Sequence, residues 1–160
     1  MHKILSHKEL KATLEKLKQD GKKIVFTNGC FDILHVGHTR YLHEARKLGD
    51  ILVLALNSDS SVRSIKGDPR PFIPQDERAY VVASLEAVDY VTLFDDDTPR
   101  VLIEYLKPDV LVKGGDWAEE DIVGREEVRT WGGTVAIIPE IQGKSTTNIL
   151  EKIKRIYKIT

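Results

Sequence analysis

Residues 23–38 read KIVFTNGCFDILHVGH, an apolar run followed by a short turn and then by a helical pattern. The segment 23–27 has apolar side chains at successive positions, which is typical of a strand covered on both faces of a parallel sheet. The segment 37–48 has helical period and ends before Gly49. A buried strand that passes directly into a helix predicts an α/β fold.

The same alternation of apolar runs and helical patterns continues along the chain. Four more apolar runs are predicted as strands, at residues 51–56, 90–94, 110–113 and 134–138. Helices are predicted at residues 8–19, 58–65, 75–85, 98–106, 125–131 and 146–157. Together these elements predict a Rossmann-like, doubly wound sheet of five parallel strands with helices on both faces. Ligands bind such sheets at the carboxyl ends of the strands, near the topological switch point.

Two helices and the chain as a whole carry more specific predictions. Thr98 is predicted to cap the helix at 98–106, with Pro99 at its first position. The closing helix has an apolar stripe that is predicted to be buried, formed by Ile149, Leu150, Ile153 and Ile156. Residues 1–160 are interpreted as a single domain, with 1–20 as an amino-terminal helical extension.

The composition excludes several classes of protein. The 24 Lys and Arg residues nearly balance the 25 Asp and Glu residues, so no net field favours nucleic acid or an anionic membrane. Apolar runs are much shorter than the roughly 20 residues that a membrane-spanning helix needs. The single cysteine, Cys30, excludes an internal disulfide framework and suits a reducing compartment. We therefore expect a cytoplasmic protein without a nucleic-acid or membrane partner. If it binds phosphates, it must do so with a local site, because the chain as a whole has no strong field.

Two histidines flank a glycine where the helix predicted at 37–48 begins. His35 and His38 are three positions apart, so both imidazoles can face one site. Gly37 lets a phosphate approach the backbone, and a helix start offers unpaired N–H groups to an anion. A lone histidine at a helix start is more often a cap or a surface residue. A pair directly after a parallel strand and Gly29 instead favours a functional site. A zinc site would need a third ligand, and no dinucleotide or P-loop glycine pattern is present.

These residues carry a family resemblance. The stretch FDILHVGH, residues 31–38, resembles the motif of the His-x-Gly-His nucleotidyltransferase superfamily. KGGDW at 113–117 and STTN at 145–148 resemble the segments that line the nucleotide pocket there. TNGCFD at 27–32, LNSD at 56–59, KGDPRP at 66–71, LEAVD at 85–89 and STTNI at 145–149 together resemble the heptose 1-phosphate adenylyltransferase family.

The resemblance implies a reaction and its partners. AMP would pass from ATP to D-glycero-β-D-manno-heptose 1-phosphate, giving ADP-heptose for lipopolysaccharide and releasing pyrophosphate. A divalent ion, Mg²⁺, would accompany ATP and be held mainly by phosphates and water, with no protein metal ligands. A homodimer and a separate heptose kinase are expected. Cys30, where many superfamily members have Thr or Ser, and Leu150, where some have a basic residue, depart from the wider pattern.

The resemblance also implies roles for individual residues. The catalytic residues would be His35, His38, Lys66 and Arg78. The nucleotide would be bound by Thr27, Gly29, Cys30, Phe31, Asp32, Gly37, Lys113, Gly115, Asp116, Thr146 and Thr147. Each has a plainer interpretation, because isolated Lys and Arg residues are usually solvated and Ser or Thr before a helix usually caps it.

Three other functions stay open from the sequence. A cytidylyltransferase for glycerol 3-phosphate would use the same mechanism with another base. An adenylyltransferase that makes a flavin or coenzyme A precursor is a third member of the class. A domain that binds a nucleotide without turning it over is also conceivable, although the intact His35 and His38 argue against it.

Overall fold

A computed structural model describes residues 2–115, 117–139 and 141–158. The strands are β1 (Ile24–Gly29), β2 (Ile51–Asn57), β3 (Tyr90–Phe94), β4 (Val110–Gly114) and β5 (Thr134–Ile138). The helices are α1 (His7–Gln19), α2 (Val36–Arg46), α3 (Asp59–Lys66), α4 (Gln75–Ala83), α5 (Arg100–Leu106), α6 (Arg125–Thr130) and α7 (Thr146–Tyr157), with a 3₁₀ turn at Glu119–Asp121. The predicted α/β alternation is therefore confirmed.

The five strands form one parallel sheet in the order β3-β2-β1-β4-β5. The chain runs outward from β1 to β3 and then returns to the other side of β1 for β4 and β5. The strand order reverses between β1 and β4, which makes their carboxyl ends the topological switch point. The predicted five-stranded, doubly wound sheet is thus the observed one.

The core lies on both faces of this sheet because successive side chains of a strand point to opposite faces. Val25 packs with Leu42 of α2 and Val82 of α4 on one face. Ile24 and Phe26 pack on the other face, with residues of α1, α5 and α6. Each large apolar side chain buried in this way contributes about 1.5–3 kcal/mol.

Helix α1 is integrated into the second of these two layers. Ser6 caps it, and Glu9 completes a capping box with the Ser6 backbone. Leu10 and Leu14 are buried against the core that α5 also covers. The segment predicted as an amino-terminal extension therefore supplies part of the core.

Two local predictions were wrong. The stripe on α7 is not buried: Ile153 is 40% exposed and Ile156 is 60% exposed. An amphipathic pattern identifies an apolar face, but α7 follows the edge strand β5, and the described residues place no layer over that face. The predicted cap Thr98 is also displaced, because α5 begins after Pro99 and has no side-chain cap.

Candidate active site

A cavity of about 920 Å³ opens at the carboxyl edge of the sheet. The ends of β1 and β4, the start of α2, the segment after β5 and the start of α7 surround it. The predicted site residues on its wall are Gly29, Cys30, Phe31, His35, Gly37, His38, Lys113 and Thr146. The topological switch point therefore brings together residues that are more than 100 positions apart in sequence.

His35 has two roles at the start of α2. It is the N-cap residue, and its Nδ1 accepts a hydrogen bond of 3.1 Å from the backbone N–H of Gly37. An imidazole nitrogen that accepts carries no proton, so we assign the proton of the neutral ring to Nε2. The cap thus selects the tautomer whose other nitrogen is a donor.

His38 stacks on His35 inside the cavity. The two ring centroids are 3.8 Å apart with an angle of 22° between the planes, and the Phe31 ring lies 5.0 Å from His38 on centroids. Among the described residues, Nδ1 of His38 is buried with no hydrogen-bond partner. Burial, helped by the neighbouring His35, lowers the pKa of His38 to about 4. His38 is therefore neutral at physiological pH.

We expect this lowered pKa to affect stability between pH 6.5 and about 4. Unfolding restores the usual pKa of 6.5, so in this window the unfolded chain binds a proton that the folded chain does not. Stability should therefore fall as the pH decreases through this window. The variant His38→Gln should show a flatter dependence of Tm on pH there, measured by thermal unfolding at half-unit steps. Parallel curves for both proteins would contradict the assignment.

Glycines allow the close packing around the two histidines. A Cβ on Gly37 would lie 2.8 Å from the His35 ring and 3.0 Å from the backbone oxygen of Lys144. A Cβ on Gly29 would lie 2.8 Å from the ring of Phe31, whose φ of 44° is left-handed. A phenylalanine adopts that conformation only where its surroundings hold it. Gly37 thus lets the His35 ring and the chain before α7 approach each other closely, and Gly29 does the same for the Phe31 ring.

Two helices point their amino-terminal ends at the cavity. α2 begins beside His35, and α7 begins after Ser145, whose hydroxyl accepts from the N–H of Asn148 at 3.1 Å. Ser145 and Thr146 both line the cavity. Unpaired N–H groups and the positive ends of two helix dipoles favour an anion between them. Ser145 therefore is a cap, as the plainer interpretation has it, at a place suited to a phosphate.

Two predicted nucleotide contacts point elsewhere. Thr27 is fully buried, and its hydroxyl lies 2.5 Å from the Tyr41 hydroxyl. Asp32 accepts hydrogen bonds from the N–H groups of Phe72 and Ile73 and pairs with Arg70 at 2.5 Å. Neither side chain lines the cavity, so the structure gives both a structural partner, and their contact with a nucleotide stays a prediction.

The Asp32 carboxylate holds the loop after α3 in place. Burial alone would raise its pKa, but the hydrogen bonds from Phe72, Ile73 and Arg70 outweigh burial and hold the pKa below its usual 3.8. Asp32 is therefore a carboxylate at neutral pH. Its position directly after the cavity residue Phe31 ties the loop to the wall of the site.

Arg78 also has structural partners. Its side chain is completely buried, and its guanidinium donates to the carbonyls of Cys30, Asn57 and Ile73 and to the Asp59 carboxylate. Because this side chain is completely buried, the structure favours a structural role, and a phosphate contact by Arg78 stays a prediction. Arg78 instead fixes the backbone of the cavity residue Cys30 from behind.

The other predicted residues lie around the rim or beyond it. Lys66 is exposed at the end of α3, where its charge acts on Cys30 and Lys113. Burial raises the pKa of the Cys30 thiol, which keeps it protonated, and lowers the pKa of Lys113.

Gly115 has a φ of 115°, and its N–H donates to the Ile138 carbonyl. Thr147 is exposed and does not line the cavity. Asp116 lies outside the described residues.

Several wall residues were missed from the sequence. They are Asn28, Thr39, Arg40, Tyr41, His43, Glu44, Ile138, Pro139, Ile141 and Lys144. The period of α2 was a usable signal, because Arg40 and Glu44 follow Gly37 at helical spacing on one face. Lys144 directly precedes the STTN motif. In the described residues no group of three or more His, Cys, Asp or Glu residues could hold a metal ion.

Comparison with known proteins places the chain among nucleotide-transferring enzymes. The family model "Cytidylyltransferase-like" matches residues 26–154. The "Bifunctional protein HldE" of Geobacter metallireducens is 56% identical over 148 residues, which cover 92% of this chain and 30% of that protein. The chain thus spans about a third of the length of this relative. No helix among the described residues is long and apolar enough to cross a membrane.

Two solved structures have the same fold. A lipopolysaccharide core biosynthesis protein from Thermoplasma volcanium is 31% identical, with a TM-score of 0.64, over 76% of this chain and 98% of that one. Pantothenate synthetase from Thermus thermophilus is 17% identical, with a TM-score of 0.60, over 87% of this chain and 62% of that one. The second similarity concerns the fold alone.

Proposed function

Within the cytidylyltransferase-like family, to which the chain belongs, we propose that it transfers AMP from ATP to D-glycero-β-D-manno-heptose 1-phosphate. The products would be ADP-heptose and pyrophosphate, which places the reaction in lipopolysaccharide core synthesis. The motif resemblance to the heptose 1-phosphate adenylyltransferase family supports this substrate. The 56% identity to the bifunctional HldE protein and the similarity to the lipopolysaccharide core biosynthesis protein support it independently.

The observation that carries the proposal is the pair of stacked imidazoles between two helix N-termini. His35 and His38 lie in contact on the wall of one cavity, and α2 and α7 both begin there. Such donors, fixed before the reaction, stabilise charge that develops on a phosphoryl group. His38 is neutral at physiological pH, so it can act as a hydrogen-bond donor but carries no positive imidazolium charge.

The proposed reaction is an in-line displacement at the α-phosphorus of ATP. An oxygen of the sugar phosphate forms the new P–O bond, and the bond from the α-phosphorus to the bridging oxygen breaks. Pyrophosphate leaves with that electron pair. The nucleophile is already an anion, so no general base is required, and catalysis comes from positioning and charge stabilisation. We assign His35 and His38 to the α-phosphate and the bridging oxygen.

Further parts of the proposal concern the metal and the partners. Mg²⁺ would be bound mainly by the triphosphate and water. It would neutralise phosphate charge. A homodimer in the cytoplasm, supplied with sugar phosphate by a separate kinase, remains a prediction that sedimentation and localisation experiments can check.

A pyrophosphate-release assay tests the function. With Mg²⁺ present, ATP and CTP are each offered with the heptose 1-phosphate or with glycerol 3-phosphate. We expect release only with ATP and the heptose phosphate. A His38→Ala protein prepared in the same way controls for contaminating enzymes.

The other outcomes of this assay select among the alternatives. Release with CTP and glycerol 3-phosphate would replace the proposed substrates and keep the mechanism, a result in line with the name of the matching family. Silence in all four mixtures, with nucleotide binding seen by calorimetry, would favour a domain that binds without turnover.

A further inference from the structure

The two central strands separate at the edge that faces the cavity. β1 pairs with β4 only at Val25 and Phe26, although it pairs with β2 along its whole length. β4 likewise stays paired with β5 to its last residue. Residues 27–29 of β1 and 112–114 of β4 are therefore not paired with each other, and we call this unpaired stretch between the two strands the notch.

Tyr41 of α2 lies at the base of the notch. Its hydroxyl oxygen is 2.5 Å from Oγ1 of Thr27 on β1 and 3.2 Å from the backbone oxygen of Val112 on β4. A carbonyl can only accept, so Tyr41 donates to Val112 and the Thr27 hydroxyl donates to Tyr41. One phenol group thus links two strands whose own backbone pairing has ended.

The ring of Tyr41 makes a second contact with the notch. A Cβ on Gly114 would lie 2.9 Å from it, so the Gly114 backbone rests directly on the aromatic ring. Nearer the cavity, Nζ of Lys113 approaches Oδ1 of Asn28 at 3.4 Å across the same notch. Burial raises the pKa of Tyr41 to about 12. Tyr41 therefore stays neutral and is suited to holding the strands, not to transferring a proton.

We propose that Tyr41 is a positioning residue that sets the width of the notch and thereby the affinity of the cavity for a nucleotide. The inference rests on the proposed function, because it needs a nucleotide in this cavity. Four residues of the notch line the cavity wall, Asn28, Gly29, Lys113 and Gly114. The Tyr41 hydroxyl and ring decide how far apart these residues lie.

Removing the hydroxyl leaves two buried polar groups without their partner. The Val112 carbonyl and the Thr27 hydroxyl are then satisfied only if the strands shift or water enters, and leaving such groups unsatisfied is costly. Either change alters the spacing of the notch. The link consists of Tyr41, Thr27 and Val112 and joins the two strands, so nucleotide binding should suffer more than the rate of the bound complex.

Calorimetric titration of the full chain with ATP tests the inference. The variants are Tyr41→Phe, Thr27→Val and the double variant, with Tyr80→Phe as the matched control at a tyrosine that is 59% exposed. We expect Kd for ATP to rise about tenfold in each single variant, the size of a lost buried hydrogen-bond partner. The double variant should be no weaker than either single one, since both remove the same link. Turnover at saturating ATP should stay within about threefold of the unmodified chain.

The outcomes separate this inference from the proposed function. An unmodified chain that binds ATP, with Tyr41→Phe and Thr27→Val binding equally well, would overturn the inference alone. Additive losses in the double variant, or a lost turnover with unchanged Kd, would also overturn it. An unmodified chain that binds neither ATP nor CTP would overturn both.

Discussion

The variant His38→Ala is expected to lose about a hundredfold or more in kcat while its fold is retained. His38 stacks on His35 at the cavity wall and is a neutral imidazole at physiological pH. Removing a donor that is fixed in advance toward developing charge typically costs about 10²–10³ in kcat. Pyrophosphate release at saturating substrates measures the loss, and far-UV circular dichroism with the unfolding midpoint verifies the fold. A folded variant with kcat within about threefold of the unmodified protein would remove His38 from the mechanism.

A matched pair of variants at His35 separates its two roles. Asparagine can still accept from the N–H of Gly37 at the N-cap, whereas alanine cannot, and a lost cap costs about 1 kcal/mol. His35→Asn and His35→Ala both lack the imidazole donor. We expect both to lose kcat and only His35→Ala to lose stability as well. Normal turnover in His35→Asn would mean that His35 is a cap without a chemical role.

The variant Arg78→Ala is expected to destabilise the protein by about 3–5 kcal/mol. The buried guanidinium neutralises Asp59, at 2.7 Å, and satisfies three backbone carbonyls. Its removal leaves a charge and polar groups without partners, which costs about that much, out of a typical total of 5–15 kcal/mol. Urea unfolding followed by circular dichroism measures the change.

Two further variants sharpen the Arg78 experiment. Arg63→Ala, at an exposed arginine on α3, controls for the loss of a positive charge. Its free energy of unfolding should stay within about 0.5 kcal/mol of that of the unmodified protein. Arg78→Lys keeps the charge but has one nitrogen in place of three. Its loss of stability should therefore lie between those of Arg63→Ala and Arg78→Ala. Full stability of Arg78→Ala together with a lost affinity for ATP would restore the earlier interpretation of Arg78 as a phosphate ligand.

The local chemistry of the sequence determined the order of the elements and the place of the site. Strands such as Ile51–Asn57 are recognisable because covering layers bury every residue after the half-buried Ile51, and residues 51–56 form a continuous apolar run. His35, Gly37 and His38 were identified because their spacing and their position after β1 are local features. The resemblance to a nucleotidyltransferase motif rests on the same contiguous residues, and the cavity does form around them.

The tertiary structure alone decided which polar side chains remain available to a ligand. Arg78 meets Cys30 across 48 positions and Asp32 meets Arg70 across 38, so each is occupied by a partner that no local pattern reveals. The Thr27 hydroxyl is likewise bonded to Tyr41. The apolar stripe on α7 is uncovered because α7 follows β5, which is the edge strand of the sheet. Periodicity records whether a side chain meets an apolar or a polar environment. Which groups form that environment depends on distant segments of the chain. For Arg78, Asp32 and Thr27, only the tertiary structure shows that the side chain is bonded to another part of the protein.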